Sequence, residues 1–163
     1  MKSSLVLLMA GSGTRSGLEM NKVLYQINQV PLFMYSLKKF YQVGFDEYIL
    51  VISKNDYDYV SEYIETTSLN VKIIFGGSSR CESVRKALSN VTSDFAIIHD
   101  AARPLISVED IKHIKDAFNT HKLGTMYHPV TDTIRKVSTE VSVINRDELY
   151  SITTPQFFHK SLP

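Results

Sequence analysis

Apolar residues gather in four short, nearly uninterrupted runs, at residues 5–9, 48–52, 71–75 and 95–99. Runs of that length and β-rich content predict strands buried on both faces of a sheet. Between them, residues 32–41, 57–64 and 83–88 carry apolar positions at helical spacing. A fourth helix is expected over about residues 108–118, and a further strand around residues 125–128. Strands alternating with helices imply right-handed βαβ units, hence an α/β fold, doubly wound, with a mainly parallel sheet.

The texture changes over residues 131–147, where Thr133, Ile134 and Val137 face Val141, Val143 and Ile144 across Ser138, Thr139 and Glu140. That pattern predicts a β-hairpin projecting as an arm from the main sheet. A two-stranded hairpin is marginal alone in water, so it must pack on something, and a second subunit is the expected cover. No internal repeat, low-complexity tract or linker interrupts the 163 residues, which read as one domain.

Charge narrows the function. The 18 Lys and Arg against 17 Asp and Glu supply no long-range field, which argues against non-specific binding to nucleic acid or membrane. An anionic ligand must therefore be held locally. The single cysteine, Cys81, leaves no intramolecular disulfide and too few thiolates for a cysteine-built zinc site, and a reducing, cytoplasmic setting is expected. The apolar start ends in glycines rather than in a cleavage site, and no apolar stretch approaches the roughly 18 residues of a membrane-spanning helix.

Three segments carry candidate chemistry. The first strand runs into Ala10-Gly11-Ser12-Gly13-Thr14-Arg15-Ser16-Gly17, with Lys22 soon after. Glycines let a backbone approach phosphates and expose amide donors, while Arg15 and Lys22 can neutralise several oxygens, as in a triphosphate cradle. The Gly-x-Gly-x-x-x-Gly spacing is not the dinucleotide fingerprint, and no Gly-Lys-Ser/Thr follows as in a Walker loop. The bland alternative is a glycine-rich turn with solvated basic side chains.

The second segment, Gly76-Gly77-Ser78-Ser79-Arg80-Cys81-Glu82-Ser83-Val84, opens a helix. It can present amides and hydroxyls to a base edge, or Ser79 and Ser83 can simply cap the helix. In the third, His99-Asp100-Ala101-Ala102-Arg103-Pro104, a buried strand ends in charge at the sheet edge where open α/β folds bind ligands. Asp100 suits Mg²⁺ bridging phosphate oxygens, or else forms a structural pair with Arg103. His99 reads as a packed or hydrogen-bonded core residue. His113, His121, His128 and His159 share no metal-ligand spacing.

Together with Asp132-Thr133-Ile134, Arg146 and Thr154-Pro155-Gln156, these segments occur in the order seen in 2-C-methyl-D-erythritol 4-phosphate cytidylyltransferases. The chain resembles that family over nearly its whole length, and resembles the related ribitol-5-phosphate cytidylyltransferases in most of the same signatures. The resemblance implies a nucleotide-diphospho-sugar-transferase-like fold, CTP and a small sugar-alcohol phosphate as substrates, and Mg²⁺ as cofactor. Carried over by position, Ala10, Gly11, Gly13, Gly77 and Ser83 bind the nucleotide, and Arg15 and Lys22 are catalytic. Asp100 holds the metal, and Arg103, Thr133, Arg146 and Thr154 bind the acceptor. The resemblance also implies a homodimer whose arms exchange, so that Thr133 and Arg146 reach the neighbour's acceptor. Arg135-Lys136 leans toward methylerythritol phosphate, and a catalytically weak CTP-binding relative is the contrasting reading. Met9 stands where the family usually has a second alanine, and Ser78 where some relatives have a carboxylate. The family pattern continues past Pro163 with a strand and helix bearing another substrate-contacting lysine, so a C-terminally truncated member is expected.

Overall fold

The computed structural model describes residues 1–11, 20–137, 139 and 141–162. The chain order is β1 (Ser3–Leu8), β2 (Gln26–Ile27), β3 (Val30–Pro31), α1 (Leu32–Val43), β4 (Glu47–Ile52), α2 (Tyr57–Glu65), β5 (Lys72–Phe75), α3 (Arg80–Leu88), β6 (Phe95–Asp100), α4 (Val108–Asp116), β7 (Leu123–Pro129), β8 (Ile134–Val137), β9 (Val141–Ile144) and β10 (Tyr150–His159).

Among the described residues, six strands form the main sheet in the order β5-β4-β1-β6-β10-β7. The first four are mutually parallel, while β10 runs antiparallel to both β6 and β7. The mixed, mostly parallel sheet is thus the expected one with an insertion that the sequence pattern did not reveal. Ser151 to Thr154 and Pro155 interrupt the apolar run in β10, so the strand reads poorly from composition. Its register shifts between Thr153 and Gln156, where the Thr154–Pro155 bond is cis.

Alternation along each strand divides the core into two layers. Leu5 and Leu7 of β1, Met9 just beyond its end, and Phe95 and Ile97 of β6 face one side, where α1, α2 and α4 bury Phe33, Leu37, Phe40, Val60 and Ile111. Val6, Leu8 and Ile98 face the other side, covered by α3 through Ala87. Helices on both faces are what doubly wound means in physical terms. Helix α1 buries its 33, 37 and 40 positions in one stripe and stops at Gly44, whose φ of 84° suits glycine. Helix α4 starts on a capping box, in which Ser107 accepts from Asp110 N–H at 3.0 Å and the Asp110 carboxylate accepts in return from Ser107 N–H.

One expectation needs correction. Strand β5 is not buried on both faces: it lies at the sheet edge, with Lys72 and Phe75 exposed. The hairpin is present, with Ile134 opposite Ile144 and Val137 opposite Val141. A tight β2–β3 ribbon, turning through Asn28 and Gln29 at positive φ, was not anticipated.

Candidate functional site at the carboxyl edge of the sheet

Strands β1 and β6 pair in parallel from Ser3↔Phe95 to Leu8↔Asp100, so both chains leave the sheet at the same edge and side by side. The β1 strand leads toward the glycine loop, and β6 ends at Asp100. Of the loop residues, Gly13 and Arg15 lie outside the described residues, while Gly11 is exposed. Lys22 is exposed and opens a short 3-10 turn. Asn21 anchors that turn: its amide donates to Met9 O and to Asp56 Oδ2, each at 2.8 Å, so the chain returning from the loop is tied to the end of β1. Met9 itself is buried in the larger core layer, and its N–H and that of Ala10 both reach Val51 O.

Small residues bring the helix start of α3 against this strand end. A side chain at Gly76 would place its Cβ 2.5 Å from the Ala10 methyl and 2.8 Å from Ser83 Oγ. At Gly77 it would overlap the Glu82 side chain. Gly77 N–H donates to the buried Ser83 hydroxyl at 3.0 Å. Ala10, Gly77 and Ser83, picked from sequence as base contacts, are therefore brought together around Gly76. Ser79 caps α3 by accepting from Glu82 N–H at 3.1 Å. Glu82 in turn accepts from both the amide and the hydroxyl of Ser78 at 2.8 Å. These Ser78 hydrogen bonds, and then Lys86, hold the Glu82 carboxyl down to about 2. A carboxylate from the first turn of α3, that of Glu82, thus stands beside Ser78.

Asp100 faces the same side of the sheet as α3. Its carboxylate accepts from Arg80 Nε at 3.2 Å and lies 3.6 Å from Arg103 Nε. Two guanidinium groups flank one partly exposed carboxylate, leaving the cluster net positive and fitted to an anion. Arg80 was not singled out as a site residue from sequence, although its place at the first turn of α3 was the available signal.

On the opposite face, His99 is fully buried against Phe40, their rings 5.2 Å apart. Its Nε2 lies 3.1 Å from Arg103 O, and its Nδ1 3.1 Å from Thr154 Oγ1. Thr154 Oγ1 also accepts from Asp100 N–H at 3.2 Å. Burial pushes the His99 imidazole down to about 4, despite the opposing bond to Arg103. A cavity of about 330 Å³ opens here, lined by His99, Ala102, Arg103, Pro104, Thr153 and Thr154. Thr133 and Arg146 sit instead on the arm, both exposed, with Arg146 Nη1 donating to Thr131 O at 2.6 Å. Among the described residues no group of three His, Cys, Asp or Glu side chains converges, and no helix is long and apolar enough to cross a membrane.

This fold, with its charge and small-residue slot at the carboxyl edge, defines an α/β protein of the nucleotidyltransferase type. The chain belongs to the family IspD: 2-C-methyl-D-erythritol 4-phosphate cytidylyltransferase, whose model matches residues 4–162. It is 38% identical over 171 residues to the 2-C-methyl-D-erythritol 4-phosphate cytidylyltransferase of Clostridium tetani, covering 99% of this chain and 68% of that protein. It is 32% identical to the chloroplastic enzyme of that name from Oryza sativa, with 98% of this chain and 56% of the relative covered. Its structure resembles the 4-diphosphocytidyl-2C-methyl-D-erythritol synthase of Anaerococcus prevotii with a TM-score of 0.84, at 27% identity, over 98% of this chain and 71% of the other. The bifunctional IspDF of Campylobacter jejuni follows at 0.83 and 26% identity, over 98% of this chain and 41% of the other.

Proposed function

We propose that the chain transfers a cytidylyl group from CTP to 2-C-methyl-D-erythritol 4-phosphate and releases pyrophosphate. The observation that carries this reading is the Asp100 carboxylate held between Arg80 and Arg103, with Arg80 tying it to the start of α3, where Ala10, Gly77 and Ser83 come together. A phosphate oxygen of the acceptor attacks the α-phosphorus in line. One P–O bond forms, and the bond to the bridging oxygen breaks, its electron pair leaving with pyrophosphate. Little covalent work falls to the protein, so positioning and electrostatics carry the rate.

The slot takes the cytosine edge through the Gly77 backbone and the Ser83 hydroxyl. Lys22, presented by the turn that Asn21 anchors, meets the triphosphate together with Arg15. Arg103 orients the acceptor. Asp100 would hold Mg²⁺ by exchanging its contacts with Arg80 and Arg103 for the ion, which would take most of its remaining ligands from phosphates and water. When bound at Asp100, the ion supplies charge neutralisation at the phosphates.

The homodimer belongs to the same reading. Val137, Val141 and Val143 of the arm are exposed at 79%, 62% and 66%, and Tyr127, Tyr150 and Ile152 extend an apolar surface along the neighbouring sheet edge. Such a surface calls for a partner, and a two-fold copy is the commonest one. Thr133 and Arg146 then act on the neighbour's acceptor.

A pyrophosphate-release assay with CTP tests the reading. Release is expected with 2-C-methyl-D-erythritol 4-phosphate and not with ribitol 5-phosphate, and Lys22→Ala should lower it by about a hundredfold or more. CTP binding without release from either acceptor would instead establish a nucleotide-binding relative.

A further inference from the structure

The buried histidine is not needed for packing alone, because its two nitrogens join two parts of the candidate acceptor side. Arg103 O can only accept, so Nε2 must carry the hydrogen that spans the 3.1 Å between them. The other neutral tautomer would set the Nε2 lone pair against that carbonyl. In the Nε2–H form, Nδ1 accepts, and the hydroxyl 3.1 Å away must donate to it. That leaves Thr154 Oγ1 as the acceptor for Asp100 N–H. Donors and acceptors thus run one way from Asp100 N–H, through Thr154 and His99, to Arg103 O. The turn is closed by Arg103 N–H donating to Asp100 O at 3.0 Å. Ser36 adds a long contact to the Arg103 carbonyl at 3.4 Å, and Lys39 donates to Pro104 O at 3.0 Å, both from α1.

We infer that His99, as its Nε2–H tautomer, is a positioning residue for the acceptor side: through Thr154 and the Arg103 carbonyl it fixes the turn that aims Asp100 and Arg103. This rests on the cytidylyltransferase reading for its substrate and on the hydrogen-bond circuit for its geometry. It also gives Thr154 a specific task. Its hydroxyl hydrogen is committed to His99 and not to a ligand, so Thr154 supports the cavity wall from within.

Ring-nitrogen NMR of the unmodified protein tests the circuit without any assay. His99 should show a protonated Nε2 and an unprotonated Nδ1 at neutral pH, and the reverse pattern overturns the proposal. Kinetics test the role. His99→Phe, which keeps ring bulk but neither nitrogen, should raise KM for 2-C-methyl-D-erythritol 4-phosphate by about tenfold or more while KM for CTP stays within about twofold. His99→Gln, which restores a donor toward Arg103 O, should recover much of that loss. Thr154→Val should be costly alone but add little in the His99→Phe background, because the two act as one unit. Equal changes in both KM values, or additive losses, overturn the role. Should His99→Phe fail to fold, His99→Gln compared with Thr154→Val, together with the tautomer spectrum, still decides. If the unmodified protein proves inactive with this acceptor, the functional reading fails and the spectrum alone judges the circuit.

Discussion

On the β1 and α3 flank of Asp100 the site is shaped by side chains that are small or missing, with Gly76 against Ala10 and Gly77 beneath Glu82. On the β6 and β10 flank it is shaped by committed hydrogen bonds, from Asp100 N–H through Thr154 and His99 to Arg103 O. The first flank takes its shape from close backbone approach, and under the proposed reading it meets the flat base. The second is a rigid turn whose charged ends point outward, and it suits an anion that must be aimed. Substitutions on the first flank should therefore change what binds, and those on the second how well the bound groups are aligned.

The sharpest break in that comparison is at the carboxylate the two flanks share. Asp100→Asn keeps the size of the side chain but leaves Arg80 and Arg103 without their counter-charge. Pyrophosphate release should fall by about 10² to 10³, the size of effect typical when one preorganised group that stabilises the transition state is removed. Steady-state assay with folding checked by circular dichroism reads it. A loss under about fivefold would place the reacting phosphates elsewhere.

The second effect separates the flanks by pH. His99 is held by burial at about 4 in the folded chain, well below its ordinary value of 6.5. The unfolded chain therefore takes up a proton first as the pH drops. Stability from this group is complete above about 6.5 and is lost as the pH falls toward 4, a total of roughly 3 kcal/mol. Denaturant midpoints measured across that window should fall with acid, and His99→Gln should flatten the slope. An unchanged slope would mean that His99 is already protonated in the fold or titrates normally.

What was legible in the sequence follows the same division. The segment from Gly76 to Val84 was legible as a helix start able to present amides and hydroxyls, though not the close approach of Gly76 to Ala10, and the runs at 48–52 and 95–99 announced buried strands. The circuit of His99 was not legible, since Thr154 lies 55 positions away and meets it only because β10 inserts antiparallel beside β6. That strand hid because Thr153, Thr154 and Pro155 break its apolar run. Arg80 was visible as a charge but not as a partner of Asp100, which required β6 to end and α3 to begin at the same edge. Composition showed the arm's alternation. The exposure of Val137, Val141 and Val143 that makes a partner plausible needed the structure.

The smallest effect tests whether the slot depends on the helix start beneath it. Ser79 accepts from Glu82 N–H at 3.1 Å, and Glu82 in turn accepts from Ser78 N–H and its hydroxyl, so the cap and the loop are one small assembly. Ser79→Ala removes the capping oxygen at the N-terminus of α3 and should lower stability by about 1 kcal/mol. Because Gly77 and Ser83 sit on either side of this turn, joined by the 3.0 Å bond from Gly77 N–H, a looser helix start should also weaken CTP binding by a few-fold. The flank on β6 and β10, proposed to meet the acceptor, should not notice, so KM for 2-C-methyl-D-erythritol 4-phosphate is expected to hold. Calorimetric titration of CTP beside steady-state kinetics checks both halves. A rise in acceptor KM with CTP affinity intact would show that the α3 start serves the other flank, through Arg80 and Asp100, and that the division drawn between them is in the wrong place.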